Sequence, residues 1–187
     1  EDANKAKAAP APREDLTRIP LITIDPEDAR DHDDAVYAEP DGHGGWRVIV
    51  AIADVSAYVH TGTIPDKEAY RRGNSTYFPD RVSPMLPEHL SADVCSLKEG
   101  ELRETFAVEM FFNSSGVKTK HRFIRGKMRS AAKLSYRQAQ DAIDGRPDDK
   151  TGPLLEPILR PLWRAYETMA KARDRRSPLD LDLPERK

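Results

Sequence analysis

Residues 46–55, WRVIVAIADV, are the most strand-like stretch of the chain, because they are rich in β-branched residues and almost continuously apolar. A run without polar alternation is typical of a strand that is buried on both faces and therefore lies inside its sheet. The preceding residues 41–45 (DGHGG) predict a hairpin turn. The domain is thus expected to be organised around a β-sheet with residues 46–55 at its centre.

Shorter strand and helix patterns surround this central segment. Further strands are expected over residues 19–24, 35–38, 105–112, 118–125 and 179–183. Helices are expected over residues 66–72, 135–143 and 153–175. The irregular, proline-punctuated stretch that remains covers residues 74–96, and a loop of this length inside a domain is usually functional. Together these elements predict an α+β fold in which helices pack on a mixed, mostly antiparallel sheet.

The N-terminus differs in composition from the rest of the chain. Residues 1–15 contain no aromatic residue and consist mostly of Ala, Lys and Pro, which predicts a disordered linker. Residues 16–187 are long enough for one domain or for part of a larger one. Because the chain begins at Glu1 rather than Met, we expect it to belong to a longer gene product.

Composition excludes a membrane-embedded protein. Charged residues make up 33% of the chain, and its mean hydropathy is −0.71. The longest purely apolar run, residues 48–53, is far shorter than the roughly 20 residues that cross a bilayer. The single cysteine, Cys95, excludes an internal disulfide and is expected to be a small buried side chain. A lone cysteine fits a reducing cytosol, so a cytoplasmic location is expected.

The net charge of −2 hides two segments of opposite sign. Residues 25–41 contain eight acids and one base, whereas residues 118–137 contain eight bases and no acid. An acidic pocket that faces a basic surface is how a metal-dependent nuclease must divide its charge. The basic segment could also simply solvate an edge strand, and both interpretations stay open.

Four aspartates near the N-terminus are the strongest chemical signal. In residues 23–35, TIDPEDARDHDDA, Asp25 follows a predicted buried strand, and Asp31, Asp33 and Asp34 come six, eight and nine residues later. Carboxylates that are brought together raise one another's pKa unless a cation neutralises them. Magnesium, with manganese as a substitute, prefers carboxylate oxygens and water. The spacing therefore predicts a metal site, although a solvated acidic loop is the alternative.

Other metal and phosphate motifs do not fit this segment. If Asp31 were the first position of an EF-hand loop, Ala35 would occupy its fifth, ligating position and no Gly would follow at the sixth. Nor does Asp31 begin a haloacid-dehalogenase pattern, because Thr or Val is missing after the second Asp. His32 is expected to be a spacer between aspartates rather than a ligand.

The aspartate spacing resembles the four-aspartate motif of the RNB catalytic domain, which RNase II, RNase R and the hydrolytic subunit of the exosome share. Further segments follow in the order of that family, with wording most similar to the RNase R type: VAIADVSAYV (50–59), RRGNSTYFPDRVSPMLPEHLS (71–91), CSL (95–97) and LDLDLPE (179–185). The resemblance covers residues 16–187 and implies the N-terminal half of an RNB catalytic domain.

The resemblance implies a magnesium-dependent exoribonuclease that degrades single-stranded RNA processively from 3′ to 5′ and releases nucleoside 5′-monophosphates. It implies that Asp25 and Asp34 are direct metal ligands and that Asp31 is a further ligand, direct or through water. Asp33 resembles the residue that is most critical to the hydrolytic step. The catalytic role would thus rest on Asp33 and Asp31.

The resemblance also implies an RNA-binding role for two tyrosines. Tyr77 resembles the residue that stacks on a base at the far end of the catalytic channel, and Tyr136 resembles the aromatic that clamps the 3′-terminal base. Stacking tolerates any base, which suits an enzyme without sequence preference. Arg72 and Arg81 flank Tyr77 and are placed to contact phosphates. An ordinary packed tyrosine and a solvated arginine are the alternatives.

The resemblance leaves part of the catalytic domain unaccounted for, including a Glu and an Arg near the scissile phosphate. We therefore expect the chain alone to be nearly inactive, and to self-associate or to associate with the missing C-terminal part of the domain. A non-catalytic RNA-binding or regulatory module of the same fold is the second hypothesis.

Overall fold

The computed structural model describes residues 11–176. Within that range the chain forms nine strands: β1 (Glu14–Asp15), β2 (Ile22–Asp25), β3 (Asp34–Pro40), β4 (Trp46–Ala53), β5 (Thr76–Tyr77), β6 (Val82–Ser83), β7 (Leu102–Phe112), β8 (Lys118–Arg129) and β9 (Ala132–Ser135). Seven of them form one sheet in the order β1-β8-β7-β4-β3-β2-β9, and β5 and β6 form a separate hairpin. Residues 1–10 and 177–187 lie outside the described range, and the strand predicted at 179–183 lies there with them.

The strand predicted from the apolar run is central, as expected. β4 is fourth of the seven strands and pairs antiparallel with β3 on one side and β7 on the other. The β3–β4 turn is the predicted hairpin turn, in which the Asp41 N–H donates to the Gly45 carbonyl at 3.0 Å. Among the nine strands of residues 11–176, only β1–β8 and β2–β9 pair in parallel, so the prediction of a mixed, mostly antiparallel sheet is confirmed.

Four α-helical segments accompany the sheet: α1 (Ile64–Arg72), α2 (Tyr136–Ile143), α3 (Gly152–Leu154) and α4 (Arg160–Asp174). α2 begins with a capping box, because the Ser135 hydroxyl accepts from the Gln138 N–H while the Gln138 side chain accepts from the Ser135 N–H. The long helix predicted over 153–175 is broken by a π-helical turn at Leu155–Leu159 that contains Pro157, which has no N–H to donate. Among the described residues, no helix is both long and apolar enough to cross a membrane.

Both faces of the sheet carry apolar packing. On one face, α2 and α4 cover Ile22, Leu134, Ala38 and Val48. On the opposite face, N-terminal and loop residues cover β4, β7 and β8 in a cluster that includes Leu16, Leu21, Ile49, Cys95, Leu97 and Met128. Cys95 is buried and free, as predicted, and burial raises the pKa of its thiol to about 11. The sheet is therefore the middle layer of the domain.

The predicted linker over residues 1–15 extends too far. Glu14–Asp15 pair in parallel with β8, and Arg13 forms ion pairs with Asp54 at 2.8 Å and with Glu104 at 2.5 Å. The Arg13 side chain is only 3% exposed. Composition could not reveal this, because the two carboxylates that hold the arginine lie far away in sequence. The ordered part of the domain therefore includes Arg13, upstream of the predicted start at Leu16.

The turn between β7 and β8 packs directly against α4. Gly116 in this turn has a φ of 74°, and a Cβ on it would lie 2.3 Å from the Thr168 carbonyl oxygen. A side chain would therefore be strained by its backbone conformation and would also push the hairpin away from the helix. The turn accordingly needs glycine for both reasons.

Candidate functional site

Three of the four predicted aspartates meet at one end of the sheet. Asp25 ends β2 and Asp34 begins β3, and the two strands are antiparallel neighbours, so the loop that joins them folds back beside the strand ends. One carboxylate oxygen each from Asp25, Asp33 and Asp34 lies within 4.8 Å of the others. The Asp33 carbonyl accepts a hydrogen bond from the Ala53 N–H at 2.8 Å, which ties the loop to the central strand. The cluster is therefore built on rigid backbone.

The electrostatics of the cluster favour a cation. Asp34 is partly buried, and loss of solvent raises the pKa of its carboxyl group, with further increases from the charges of Asp25 and Asp33. Three carboxylates in this arrangement repel one another, and a divalent ion would relieve both the repulsion and the desolvation. Hard oxygen donors at this separation suit magnesium or manganese. Asp25, Asp33 and Asp34 therefore fit the metal that the sequence predicts.

Asp31 does not join this group. Its side chain is exposed, and it is absent from the set of carboxylates that approach within 4.8 Å. A direct bond from Asp31 to the same ion is not supported by this geometry. Its predicted role through a bridging water stays a prediction.

His32 is the residue that sequence reasoning undervalued. Its side chain is 3% exposed, and its Nδ1 lies 2.7 Å from Oδ2 of Asp25. The sequence predicted a spacer, and His32 is indeed not among the cluster's possible ligands. Yet the imidazole points inward and contacts a cluster member. The sequence around His32 did not indicate that its side chain points inward, because a loop does not alternate buried and exposed residues as a strand does.

The segment 95–97 holds the backbone of His32. The Leu97 N–H donates to the His32 carbonyl at 2.7 Å, and the His32 N–H donates to the Ser96 hydroxyl at 3.2 Å. Arg103 in turn donates through Nε to the Ser96 carbonyl at 2.8 Å. The aspartate loop is thus held in place by the segment 95–97, which lies more than sixty positions away along the chain.

Tyr136 lies close to the aspartates through the sheet. Its neighbour Ser135 is the register partner of Asp25 in the parallel pair β2–β9. Tyr136 is 60% exposed and borders a groove of about 280 Å³ that is also lined by Ile24, Ala139 and Trp163. An exposed aromatic ring beside a groove, one residue from a strand that ends at the site, is suited to contact a planar ligand.

Tyr77 belongs to the β5–β6 hairpin and is also largely exposed. Within this hairpin, the guanidinium of Arg81 lies 4.7 Å from the centre of the Phe78 ring. Arg72, at the end of α1, donates to Glu68 and to the Pro84 carbonyl, both at 2.8 Å. Both arginines therefore have partners within the chain, and phosphate contacts from them stay predictions.

The basic segment is less cationic than its sequence suggests. On β8, Arg122 pairs with Glu109 and Glu14, and Arg125 and Lys127 lie near Asp54 and Glu104. These acids come from β1, β7 and the end of β4, so they could not be paired with β8 by reading along the chain. β1 also covers part of the outer edge of β8.

Comparison with known proteins gives one consistent family. The family described as RNB domain matches residues 13–187. Ribonuclease R of Escherichia coli is 44% identical over 181 residues, which is 96% of this chain and 22% of that protein. The chain thus spans about a fifth of the length of this curated relative.

Solved structures agree with the sequence comparison. Mycoplasma genitalium RNase R, in complex with ribose-methylated single-stranded RNA, superposes with a TM-score of 0.91 at 29% identity, over 98% of this chain and 29% of that one. Yeast Ssd1, described as a pseudonuclease, has a TM-score of 0.65 at 17% identity, over 74% of this chain and 18% of that one. The second likeness shows the fold alone.

Proposed function

Because the chain belongs to the RNB-domain family, we propose that it supplies the metal-binding carboxylates of a cytoplasmic exoribonuclease. The parent enzyme, meaning the longer protein that we propose contains this chain, would hydrolyse single-stranded RNA processively from 3′ to 5′ and release nucleoside 5′-monophosphates. The observation that carries the proposal is the approach of Asp25, Asp33 and Asp34 within 4.8 Å at the end of the sheet. A fold alone would not carry it, since one fold can host several functions.

The three carboxylates would hold one or two magnesium ions. Metal bound there supplies charge stabilisation at the phosphate and lowers the pKa of a bound water. Asp25 and Asp34 lie at strand ends and are the less exposed members, so they suit the role of fixed ligands. Asp33 is the exposed member of the cluster, which suits a role at the reacting phosphate. Asp31 would be a further ligand of the metal through a bridging water.

The tyrosines would hold the RNA. Tyr136 follows the register partner of Asp25, so a base stacked on its ring would place the adjoining phosphate near the carboxylates. Tyr77 stands on a separate hairpin and would stack on a base farther along the strand. Arg72 and Arg81 flank that hairpin position and would approach phosphates by exchanging their present partners.

A non-catalytic RNA-binding module is the second hypothesis. The likeness to the pseudonuclease Ssd1 is a likeness of fold, and it leaves either function open. The intact aspartate cluster favours the nuclease, because binding RNA does not require three mutually repelling carboxylates in one place. Metal affinity is therefore the property that separates the hypotheses for this chain.

A magnesium titration of the chain tests the metal site. Saturating magnesium is expected to stabilise the wild type, by about 2.7 kcal/mol at a hundredfold excess over the dissociation constant, because only the folded state gathers the ligands. Asp34→Asn should remove most of this stabilisation. It should also raise the metal-free melting temperature, because it removes a partly buried charge that Asp25 and Asp33 repel. Thermal unfolding with and without magnesium measures both effects.

Asp28→Asn is the matched control for this titration. Asp28 is an exposed acid on the same loop and is not a member of the cluster, so the variant loses the same charge without losing a ligand. Its response to magnesium should equal that of the wild type. Equal magnesium responses in wild type, Asp34→Asn and Asp28→Asn would show that binding is nonspecific, and the site assignment would be wrong.

Replacing the tyrosines in the parent enzyme should give two different defects. Tyr77→Ala is expected to lengthen the limit product, because the enzyme loses its hold on the far end of a short substrate. Tyr136→Ala should slow hydrolysis about 10- to 100-fold by loosening the terminal base, since stacking is worth about 1–3 kcal/mol per base. Product lengths and single-turnover rates on labelled RNA measure both. Phe variants should resemble the wild type, and an unchanged limit product in Tyr77→Ala would contradict its role.

We also propose that the exposed part of the sheet face is where the rest of the parent domain packs. Ile52 and Phe106 are register partners on β4 and β7, and Phe106 stacks on Phe123 with 5.8 Å between ring centres. All three are more than 40% exposed, and Ile52 is also the register partner of Asp34. A cover on this surface would exclude water next to the cluster, which would strengthen its electrostatics.

A further inference from the structure

We propose that His32 is a positioning residue that holds the Asp25 carboxylate in the orientation required for metal binding; the inference rests on the metal site proposed above. The distance of 2.7 Å between Nδ1 of His32 and Oδ2 of Asp25 is that of a strong hydrogen bond. A carboxylate can only accept in such a bond, so Nδ1 carries the proton and donates it. The bond fixes the direction of Oδ2 and therefore restricts rotation of the Asp25 carboxylate.

The imidazole is itself held in place. His32 is 3% exposed, and both its N–H and its carbonyl are bonded to the segment 95–97, through the Ser96 hydroxyl and the Leu97 N–H. Ser96 is in turn fixed by the Arg103 guanidinium. The backbone that carries the donor is therefore fixed, and the imidazole on it is buried. A chain of contacts runs from β7 through the loop to the aspartate.

The effect on metal affinity follows from the mutual repulsion of the cluster. Without a donor beside it, the Asp25 carboxylate would turn away from Asp33 and Asp34, because oxygens of these two negatively charged groups lie within 4.8 Å of it. Metal binding would then have to reorient the carboxylate. Removing a hydrogen-bond partner of a metal ligand typically weakens binding about 10- to 100-fold.

The alternative is a histidine that merely fills the core. In that case replacing it would lower the stability of the fold, but every folded variant would bind metal with the affinity of the wild type. Metal affinity and metal-free stability therefore separate the two roles. Activity is not needed as a readout.

The test compares His32→Asn with His32→Leu in the full 187-residue chain. The two replacements are nearly equal in size, but only the Asn amide places an N–H on the same side-chain position as Nδ1. Binding of Mn²⁺ is followed by the electron paramagnetic resonance signal of the free ion. We expect His32→Leu to bind about tenfold or more weakly, and His32→Asn to recover most of the affinity. His89→Leu, at a partly exposed histidine whose Nδ1 lies 3.4 Å from Asp93, should bind like the wild type.

The outcomes are distinguishable. If the wild type binds no Mn²⁺, the proposed metal site fails, and the role of His32 fails with it. If the wild type binds Mn²⁺ and His32→Leu binds it as tightly as His32→Asn does, only the positioning role is overturned. Circular dichroism and thermal melts in chelator report whether each variant is folded. Should His32→Leu not fold, His32→Gln replaces it as the variant whose amide is displaced from the Nδ1 position, and binding equal to that of His32→Asn would again overturn the role.

Discussion

Asp33→Asn in the parent enzyme is expected to slow RNA hydrolysis about a thousandfold while leaving RNA affinity nearly unchanged. Asp33 is the exposed member of the carboxylate cluster, within 4.8 Å of Asp25 and Asp34. The amide keeps the size of the side chain but removes its charge at the place where the phosphate would react. The proposed stacking contacts at Tyr77 and Tyr136 lie on other elements and are untouched. Single-turnover release of mononucleotides and equilibrium RNA binding measure the two quantities.

Asp28→Asn is again the control, because it makes the same change on the same loop outside the cluster. It should hydrolyse RNA at a rate near that of the wild type. If Asp33→Asn lost affinity in proportion to rate, Asp33 would be a substrate-binding residue and not one that acts at the hydrolytic step. A rate near that of the wild type would remove Asp33 from the chemistry altogether.

The central strand and the acidic site could be predicted from sequence because both depend on short segments. The nearly continuous apolar run predicts that β4 lies inside the sheet, and β4 does pair on both sides, although Ile52 at its end is 45% exposed. Asp25 and Asp34 flank a short loop between strand segments, so their proximity follows once the two strands pair. Asp31 belongs to the same motif but points outward. Spacing along the chain indicates which residues can meet, and the conformation of the loop decides which of them do so.

The features that sequence missed depend on partners distant along the chain. Arg13 is held by ion pairs with Asp54 and Glu104, and the next two residues pair with β8. β9 is four residues long, and its parallel pairing with β2 joins segments more than a hundred residues apart. His32 gained its contact with Asp25 because the segment 95–97 holds its backbone. None of these interactions leaves a periodic pattern in the sequence, so the sequence alone could not predict them.

Phe123→Asp is expected to weaken association through the exposed sheet face about 10- to 100-fold. The ring is 64% exposed and stacks on Phe106, and burying a Phe side chain contributes about 1.5–3 kcal/mol to an interface. When the rest of the parent domain is absent, we expect copies of this chain to cover the surface for one another. Sedimentation equilibrium of the isolated chain over a range of concentrations measures the association constant.

Tyr70→Asp is the control, because Tyr70 is 90% exposed and belongs to α1 and not to the sheet, so the variant should leave association unchanged. The sheet itself explains why the surface is left open. One row of register partners across β3, β4 and β7 consists of Ala38, Val48 and Met110, which pack with α4. Another row, at the aspartate end of the same strands, consists of Asp34, Ile52 and Phe106. α4 lies over the first row, so an apolar row remains beside the acidic cluster.

If the wild type were monomeric at every concentration, the face would not drive association by itself. If Phe123→Asp and Tyr70→Asp weakened association equally, contact would occur elsewhere, and the apolar row would have to be covered by a different part of the parent.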